Sequence, residues 1–228
     1  MQAGHAVSAV AYARLARFVE LLLIENRRLN LTGVREATEL WRGHVCDSLA
    51  LWPRVVASGA VRVLDLGSGG GLPGLPLACV CEPAQVTLLD ATRKKVSALE
   101  RIIQGLGVPN ARAAWGRAER LAYEPAYREQ FDLVTARAVA ALPVLIEYAA
   151  GFVRPGGECW FFKTPAALDE ERSRAESAAR ACQVADLAPV PYRLPGETDE
   201  RVLIGYRKAG RLPDNLPRGT GRTKKRPL

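Results

Sequence analysis

The chain lacks the features that mark membrane-spanning, secreted and metal-binding proteins. It has no apolar run of about 18 residues, the length that a transmembrane helix needs. No basic head followed by an apolar block opens the sequence, so no secretory signal is expected. Its five cysteines are odd in number and lack C-x-x-C spacing, and no histidines surround the pair Cys79 and Cys81. We therefore expect a reduced, cytoplasmic chain with no membrane partner and no metal, and nothing indicates more than a monomer.

Acidic residues are nearly absent from the C-terminal end. Residues 207–228 contain eight Lys or Arg and a single acid, Asp214, so this segment carries +7 of the chain's net charge of +8. Proline and glycine are frequent there and disfavour a long regular element. A basic, irregular end is typical of nucleic-acid binding through phosphate contacts. The alternative is a solvated tail that keeps the protein in solution.

The rest of the chain alternates between strand-like and helix-like patterns. Strands are predicted at 61–66, 86–90, 111–115, 131–136, 157–163, 184–190 and 201–206, and helices at 7–28, 36–57, 74–82, 92–106, 139–153 and 168–182. Helices between successive strands favour parallel pairing, whereas the short P-G-E-T-D turn before the last strand favours an antiparallel hairpin. We predict an α/β, Rossmann-like fold whose seven-stranded sheet has one antiparallel strand and helices on both faces. Residues 1–58 would form a helical cap, 59–208 the main domain and 209–228 the basic tail.

A glycine-rich loop follows the first predicted strand, in the sequence V-R-V-L-D-L-G-S-G-G-G-L-P-G at 61–74. Its glycines allow a ligand to approach the backbone closely, and Asp65 places a carboxylate at the strand's end, where open α/β sheets bind ligands. A dinucleotide site would need G-x-G-x-x-G and an unbroken helix, which Pro73 and Pro76 are expected to break. Asp65 suits the cationic head of S-adenosylmethionine, and Asp90, which ends the next strand, suits its ribose hydroxyls. A methyl-donor site is favoured over a dinucleotide site and over a plain turn.

Several further segments occur with the loop in a specific order. They are N-L-T at 30–32, H-V-C-D-S at 44–48, L-D-A-T-R-K-K at 89–95, G-R-A-E at 116–119, T-A-R-A at 135–138 and the closing P-R at 217–218 and P-L at 227–228. With them the chain resembles the bacterial small-subunit ribosomal RNA guanine-N7 methyltransferases of the glucose-inhibited division protein B type. The resemblance runs from about Glu25 to Leu228. It implies a Rossmann-like class I methyltransferase fold and methylation of N7 of a guanine in the 530 loop of 16S rRNA.

The resemblance also implies roles for individual residues. The residues expected to bind S-adenosylmethionine are Asp65, Gly67, Ser68, Gly69, Leu72, Asp90, Ala91, Thr92, Ala118, Glu119 and Arg137. Among them, Asp90 would take the ribose, Ala118 and Glu119 would hold the adenine, and Arg137 would face the reacting end. The substrate would be 16S rRNA or the 30S subunit. One departure is Thr164-Pro165, where the family commonly has a glycine after the lysine, and it leaves the conformation of that loop open.

Guanine N7 carries a lone pair and no proton, so its methylation requires alignment of the reactants and no general base. In agreement, the fourth strand is followed neither by D-P-P-Y or N-P-P-Y nor by a Pro-Cys nucleophile. Arg137 and Lys163 are the candidate catalytic residues, acting through orientation and charge. The candidate RNA-binding residues are Asn30, His44, Asp47, Ser48, Arg201, Arg218, Lys224 and Lys225. The alternatives are a non-catalytic RNA-binding protein on this fold, or a methyltransferase for another RNA or a small molecule.

Overall fold

The computed structural model describes residues 6–219, 223 and 226–228, apart from the side chain at position 172. Helix α1 (Ala9–Leu29) begins at Ser8, whose Oγ accepts a hydrogen bond from the Ala11 amide, and it ends at Asn30 in the left-handed region. The helical stretch predicted at 36–57, with a cut expected at Pro53, is divided into more pieces than that one cut would give. These are α2 (Ala37–Leu40), a π-helical turn (Trp41–Cys46), α3 (Asp47–Leu49) and α4 (Trp52–Ala57).

The remaining elements alternate as predicted. The strands are β1 (Arg62–Leu66), β2 (Gln85–Asp90), β3 (Ala111–Trp115), β4 (Phe131–Arg137), β5 (Val153–Lys163), β6 (Val184–Asp186), β7 (Val190–Arg193) and β8 (Glu200–Lys208). The helices between them are α5 (Gly74–Val80), α6 (Arg93–Leu106), α7 (Ala118–Leu121), α8 (Leu142–Ala150) and α9 (Pro165–Ala181). The four-residue helix α7 has no counterpart in the sequence prediction, because four residues show no helical period.

The described strands form one sheet in the order β3-β2-β1-β4-β5-β8-β6, with β7 also paired to β8. Strands β1 to β5 are parallel, and β8 runs antiparallel to β5. The predicted Rossmann-like class I methyltransferase fold is confirmed, including the hairpin near the chain's end. One difference is that the predicted strand at 184–190 consists of two short strands, β6 and β7, which pair with opposite ends of β8.

Apolar side chains fill both faces of the sheet. On one face α1, α5 and α6 bury Phe18, Leu75 and Leu99 against strand residues such as Val63 and Leu133. On the other face α8 and α9 bury Leu145 and Ala178. Because residues alternate between faces, Asp65, Thr135 and Arg137 share the first face with Val63 and Leu133, at the carboxyl ends of β1 and β4.

The N-terminal helices contact the main sheet domain directly, since α1 packs against both α5 and α6. Glu25 on α1 accepts two hydrogen bonds from the Arg101 guanidinium on α6, at 3.0 and 2.6 Å. None of the helices in the described part of the chain combines the length and apolar composition of a membrane crossing. Within the same residues no group of His, Cys, Asp and Glu is arranged as a metal site, and the five cysteines are free thiols.

Candidate active site

The glycine-rich loop turns sharply between β1 and α5. Gly67, Gly69 and Gly71 all have positive φ, and a Cβ on Gly67 would lie 2.6 Å from Cγ2 of Val139. Only glycine fits this position, because both the backbone angle and the available space exclude a side chain. The Ser68 hydroxyl donates to the Asp65 carbonyl at 3.0 Å and tightens the turn.

The helix after the loop corrects one sequence-based interpretation. Pro73 and Pro76 were expected to break this helix, but Pro73 is its N-cap and Pro76 lies in its first turn. Amides of the first turn have no intrahelical partner, so proline is tolerated there. The prolines therefore did not argue against a dinucleotide site, and the preference for a methyl donor depends on the two acids.

Asp65 is fully buried beneath the loop. Its Oδ2 accepts a hydrogen bond from the Gly74 amide at 2.9 Å, and its Oδ1 has no hydrogen-bond partner among the described residues. Burial raises the pKa of Asp65 to about 6, although the Gly74 amide favours the charged form. The loop thus holds an incompletely satisfied carboxylate at the carboxyl end of β1.

Asp90 ends β2 beside the same loop. Its Oδ2 accepts from the Gly69 amide at 3.1 Å, and its Oδ1 accepts from the Thr92 amide at 2.7 Å. Each carboxylate oxygen can accept a further hydrogen bond, so Asp90 remains able to take a ligand hydroxyl. The loop and the β2 end are therefore fixed to each other through this side chain.

A cavity of about 120 Å³ lies between these strand ends and α8. Five residues predicted to bind the cofactor line it: Gly67, Asp90, Ala91, Ala118 and Glu119. Asp65, Ser68, Gly69, Leu72, Thr92 and Arg137 are not part of its wall. The sequence analysis missed Val139, which follows β4, and Tyr148 on α8, which also line the cavity, because no motif marks either residue.

Arg137, at the end of β4, is held by the N-terminal segment. Its Nη1 donates to Asp47 Oδ2 at 2.7 Å, and its Nη2 lies 3.2 Å from His44 Nδ1. Arginine can only donate, so Nδ1 accepts and the proton of His44 is on Nε2, which faces the Thr32 hydroxyl at 3.0 Å. Burial, followed by the charge of Arg137, lowers the pKa of His44, and the imidazole is neutral at pH 7.

The β7–β8 hairpin reaches the same carboxylate. The Tyr192 hydroxyl donates to Asp47 Oδ1 at 2.7 Å, and Arg201 Nη1 lies 3.2 Å from it. Asp47 is 3% exposed, and both of its oxygens accept hydrogen bonds from side chains of the protein. Burial and then the Asp47 charge raise the pKa of Tyr192, which keeps its proton. We call Asp47, His44, Arg137, Tyr192 and Arg201 the Asp47 cluster.

The other predicted RNA-binding residues differ in accessibility. Ser48 is fully buried and donates to the His44 carbonyl at 2.7 Å, so a direct RNA contact would require it to leave this position. The Asn30 side chain accepts from Arg35 at 3.3 Å at the end of α1. Arg218 pairs with Glu147 at 2.6 Å. Lys224 and Lys225 lie outside the described residues. RNA binding by all these residues stays a prediction.

Lys163, at the end of β5, joins two helices. Its Nζ donates to Glu171 of α9 at 2.7 Å and to the Ala140 carbonyl, before α8, at 3.2 Å. Beside it, Thr164 and Pro165 form the start of α9: the Thr164 hydroxyl caps the helix and Pro165 is in its first turn. A helix start accounts for Thr-Pro where a glycine was expected. The catalytic role of Lys163 stays a prediction.

Replacing Asp65 with asparagine is expected to stabilise the chain at pH 7.5 by about 2 kcal/mol. The pKa of Asp65 is about 6 when folded and about 3.9 when unfolded, so the folded state binds more protons between these values. Stability therefore falls as pH rises through this window, and the loss is complete above it. Urea unfolding of both proteins at pH 4.5 and 7.5 measures the difference.

Asp132 provides the matched control for that experiment. Burial raises the pKa of this carboxylate, but bonds from Arg154 and from the Arg62 and Val61 amides outweigh it and hold the pKa below its usual value. Asp132→Asn is therefore expected to destabilise the chain at pH 7.5. Equal changes in the free energy of unfolding for the two substitutions would contradict the raised pKa of Asp65.

Comparison with known proteins identifies related chains. Residues 11–192 match the family described as rRNA small subunit methyltransferase G (GidB). The ribosomal RNA small subunit methyltransferase G of Carboxydothermus hydrogenoformans is 38% identical over 93% of this chain and 89% of its own. An O-methyltransferase of Bacillus cereus, solved in complex with SAH, has a TM-score of 0.59 at 18% identity, over 84% of this chain and 90% of that chain. The O-methyltransferase TomG of Streptomyces achromogenes, solved with SAM, has a TM-score of 0.59 at 16% identity, over 85% and 90%.

Proposed function

Because the chain belongs to the rRNA small subunit methyltransferase G family, we propose that it methylates N7 of a guanine in the 530 loop of 16S rRNA. Membership makes it an S-adenosylmethionine-dependent methyltransferase for small-subunit rRNA. We further propose that it acts as a cytoplasmic monomer, without metal, on 16S rRNA or the 30S subunit. The observation that supports the proposal most is the cavity at the ends of β1, β2 and β3, with Gly67, Asp90 and Glu119 in its wall.

The residues around the cavity suit S-adenosylmethionine. Gly67 contributes only backbone to the cavity wall, and Val139 occupies the position that a Cβ would need. Asp90 retains acceptor capacity for the ribose hydroxyls, and Ala118 and Glu119 lie where the adenine would bind. The carboxylate of Asp65 adds negative charge under the loop, toward the cationic end of the ligand. Thr92, Ala91, Leu72, Ser68 and Gly69 would support the same ligand from the loop and from the end of β2.

When bound, the cofactor supplies a methyl group on a positively charged sulfur. The chain's own residues then have to position a guanine whose N7 lone pair points at that methyl group, and no residue has to remove a proton. Arg137 is suited to this role because the Asp47 cluster fixes its guanidinium at two points and leaves other N–H groups free to donate. Lys163 would act with it from the end of β5, where Glu171 holds its ammonium group in place.

Mapping the methyl group tests the proposed reaction. Purified protein, S-adenosylmethionine labelled in its methyl group, and 30S subunits or free 16S rRNA from an unmodified source would be incubated together. Strand cleavage at 7-methylguanine after reduction and aniline treatment then locates the product. Label at N7 of a 530-loop guanine is expected, and label at another nucleotide would contradict the specific target. Transfer to a small molecule instead would contradict the RNA substrate.

Neutralising Lys224 and Lys225 to glutamine is expected to lower the salt dependence of rRNA binding. Each lost phosphate contact reduces the slope of log K against log salt by about 0.7–0.9, so the double variant should lose about 1.5. Filter binding across a salt series measures the slope. Arg174→Gln with Arg180→Gln removes the same charge from exposed positions on α9. If this control lowered the slope equally, the effect would come from the net charge of the chain and not from contacts made by Lys224 and Lys225.

A further inference from the structure

Trp115, the last residue of the edge strand β3, has an exposed indole ring. The residue is 53% exposed, whereas the other tryptophans of the chain are more buried. Its Nε1 donates to the Ala91 carbonyl at 3.1 Å, and the guanidinium of Arg93 lies over the ring, 4.6 Å from its centre. The ring is therefore held in one position while about half of the residue stays open to solvent. An ordered, exposed aromatic ring is suited to stacking with a ligand.

The side chains next to this ring are cationic. Arg93 and Lys94 begin α6 and are exposed, and Arg117 follows Trp115 by two residues. No described carboxylate forms an ion pair with Arg93 or Lys94, so both charges are available to an anionic partner. Cations at the start of a helix are unfavourable, because the helix dipole is positive there, so helix stability does not account for them.

Arg117 connects this surface to the donor cavity. It lines the cavity together with Ala91, whose carbonyl holds the indole. Its Nε donates to Glu119 at 2.8 Å, but the side chain is half-exposed and its terminal N–H groups can donate to a further partner. We call the following residues the Trp115 surface: Trp115, Arg93, Lys94 and Arg117.

The chemistry of the Trp115 surface fits single-stranded RNA. Unstacked bases bind aromatic rings, and arginine and lysine bind the phosphates between them. An apolar protein partner would cover the three cations without supplying an opposite charge, which is unfavourable. A single-stranded nucleotide supplies both a ring for the indole and negative charge for the cations.

The sheet topology indicates which nucleotide of the RNA would bind there. Trp115 ends β3 and Arg137 ends β4, which are separated by three strand-to-strand steps in the order β3-β2-β1-β4. At about 4.8 Å a step, the two strand ends lie about 14 Å apart. A base on Trp115 is therefore a different base from the guanine that Arg137 would orient.

We propose that the Trp115 surface binds a single-stranded nucleotide near the target guanine, with its base stacked on the indole and its neighbouring phosphates bonded by the three cations. This inference rests on the proposed rRNA substrate. It assigns a role to the R-K-K segment that follows Thr92, and it places an RNA contact on the β3 edge of the sheet, away from the basic C-terminal end.

Trp115→Ala and Trp115→Phe test the stacking contact. Initial rates of methyl transfer would be measured against the concentration of 30S subunits or free 16S rRNA, whichever the parent protein methylates. Trp115→Ala is expected to raise KM about tenfold, whereas Trp115→Phe keeps a ring and should raise KM by less than about threefold. Calorimetry should give a Kd for S-adenosylhomocysteine within about twofold of the parent's in both variants.

An unchanged KM in Trp115→Ala would overturn the proposal, as would an equal loss of S-adenosylhomocysteine binding, which would mean that Trp115 acts through the donor cavity. If the parent methylated the 530-loop guanine and Trp115→Ala did so with the same KM, only this inference would fail. If the parent methylated neither form of rRNA, the proposed function would be wrong, and this inference with it.

Tyr12→Ala is the matched control for the ring. Tyr12 is an exposed aromatic residue on α1, outside the Trp115 surface, and its removal should leave KM unchanged. A rise in KM equal to that of Trp115→Ala would overturn a specific stacking contact.

Lys94→Gln tests the phosphate contact. It is expected to lower the slope of log K against log salt for rRNA binding by about 0.7–0.9, as the loss of one phosphate contact does. Arg174→Gln removes the same charge from an exposed position on α9 and should change the slope less. Equal changes in the two variants would overturn the assignment of Lys94 to a phosphate.

Discussion

Replacing Arg137 with alanine is expected to lower kcat/KM for rRNA methylation by about 100-fold or more, equivalent to about 2.7 kcal/mol. The guanidinium is fixed by Asp47 and His44, and its side chain is 15% exposed, so it is ordered before the substrate arrives. Alanine removes the donors that would orient the reacting groups. Arg137→Lys keeps the charge but cannot span both partners, so most of the loss should remain. Initial rates with 30S subunits measure the effect.

Two measurements separate a role in the reaction from a role in folding. Arg193→Ala breaks an exposed ion pair with Glu200 on the same hairpin and should leave the rate unchanged. Asp47 keeps Tyr192 and Arg201 as partners in Arg137→Ala, so the variant should still unfold cooperatively. A folded Arg137→Ala protein with a rate within about fivefold of the parent would contradict the assignment.

Replacing Arg218 with alanine is expected to destabilise the chain by about 3 kcal/mol. Glu147 is fully buried, and its two oxygens accept from the Arg218 guanidinium at 2.9 and 2.6 Å. Without that guanidinium a charged carboxylate stays in the interior with only the Arg218 amide and the Thr223 hydroxyl as donors. The free energy of unfolding in urea measures the cost.

Two further substitutions test whether the loss of stability comes from the buried Glu147 carboxylate. Glu147→Gln in the Arg218→Ala background should recover part of the stability, because a neutral amide is less costly to bury than a carboxylate. Arg211 is 84% exposed and pairs with Glu129 at 3.6 Å, so Arg211→Ala should have little effect. If Arg218→Ala kept full stability and bound rRNA more weakly, Arg218 would act on RNA as the sequence suggested.

The sequence alone brings the predicted donor-binding residues to one edge of the sheet, because they are local in the chain. Asp65 and the glycines are consecutive, and Asp90 ends the next strand, so strand order alone places them at one edge of the sheet. The helix start at Thr164-Pro165 was not anticipated, although both residues have the local preferences for it. The capping signal was overlooked because the family commonly has a glycine at that position.

Contacts between residues distant in the sequence could not be predicted to the same depth. Tyr192 lies 145 residues from Asp47 in the sequence, and Arg201 lies 154 residues from it, with no spacing to indicate that they meet. Tyr148 looks like any apolar position of a buried helix, and its place in the cavity wall is evident only from the packed structure. Arg218 appeared as one of several basic tail residues, and the carboxylate that it pairs with is within the apolar pattern of α8.

The Asp47 cluster also has a consequence for the order in which the enzyme becomes active during its synthesis. Asp47 emerges early, whereas Arg137, Tyr192 and Arg201 follow 90, 145 and 154 residues later. All three contacts close long loops, and the two from Tyr192 and Arg201 cannot form until β8 has been made and paired with β7. A chain truncated before residue 190 would contain the whole glycine-rich loop but would lack two of the three side chains that bond Asp47, those of Tyr192 and Arg201. Synthesis therefore completes the glycine-rich loop well before the Asp47 cluster.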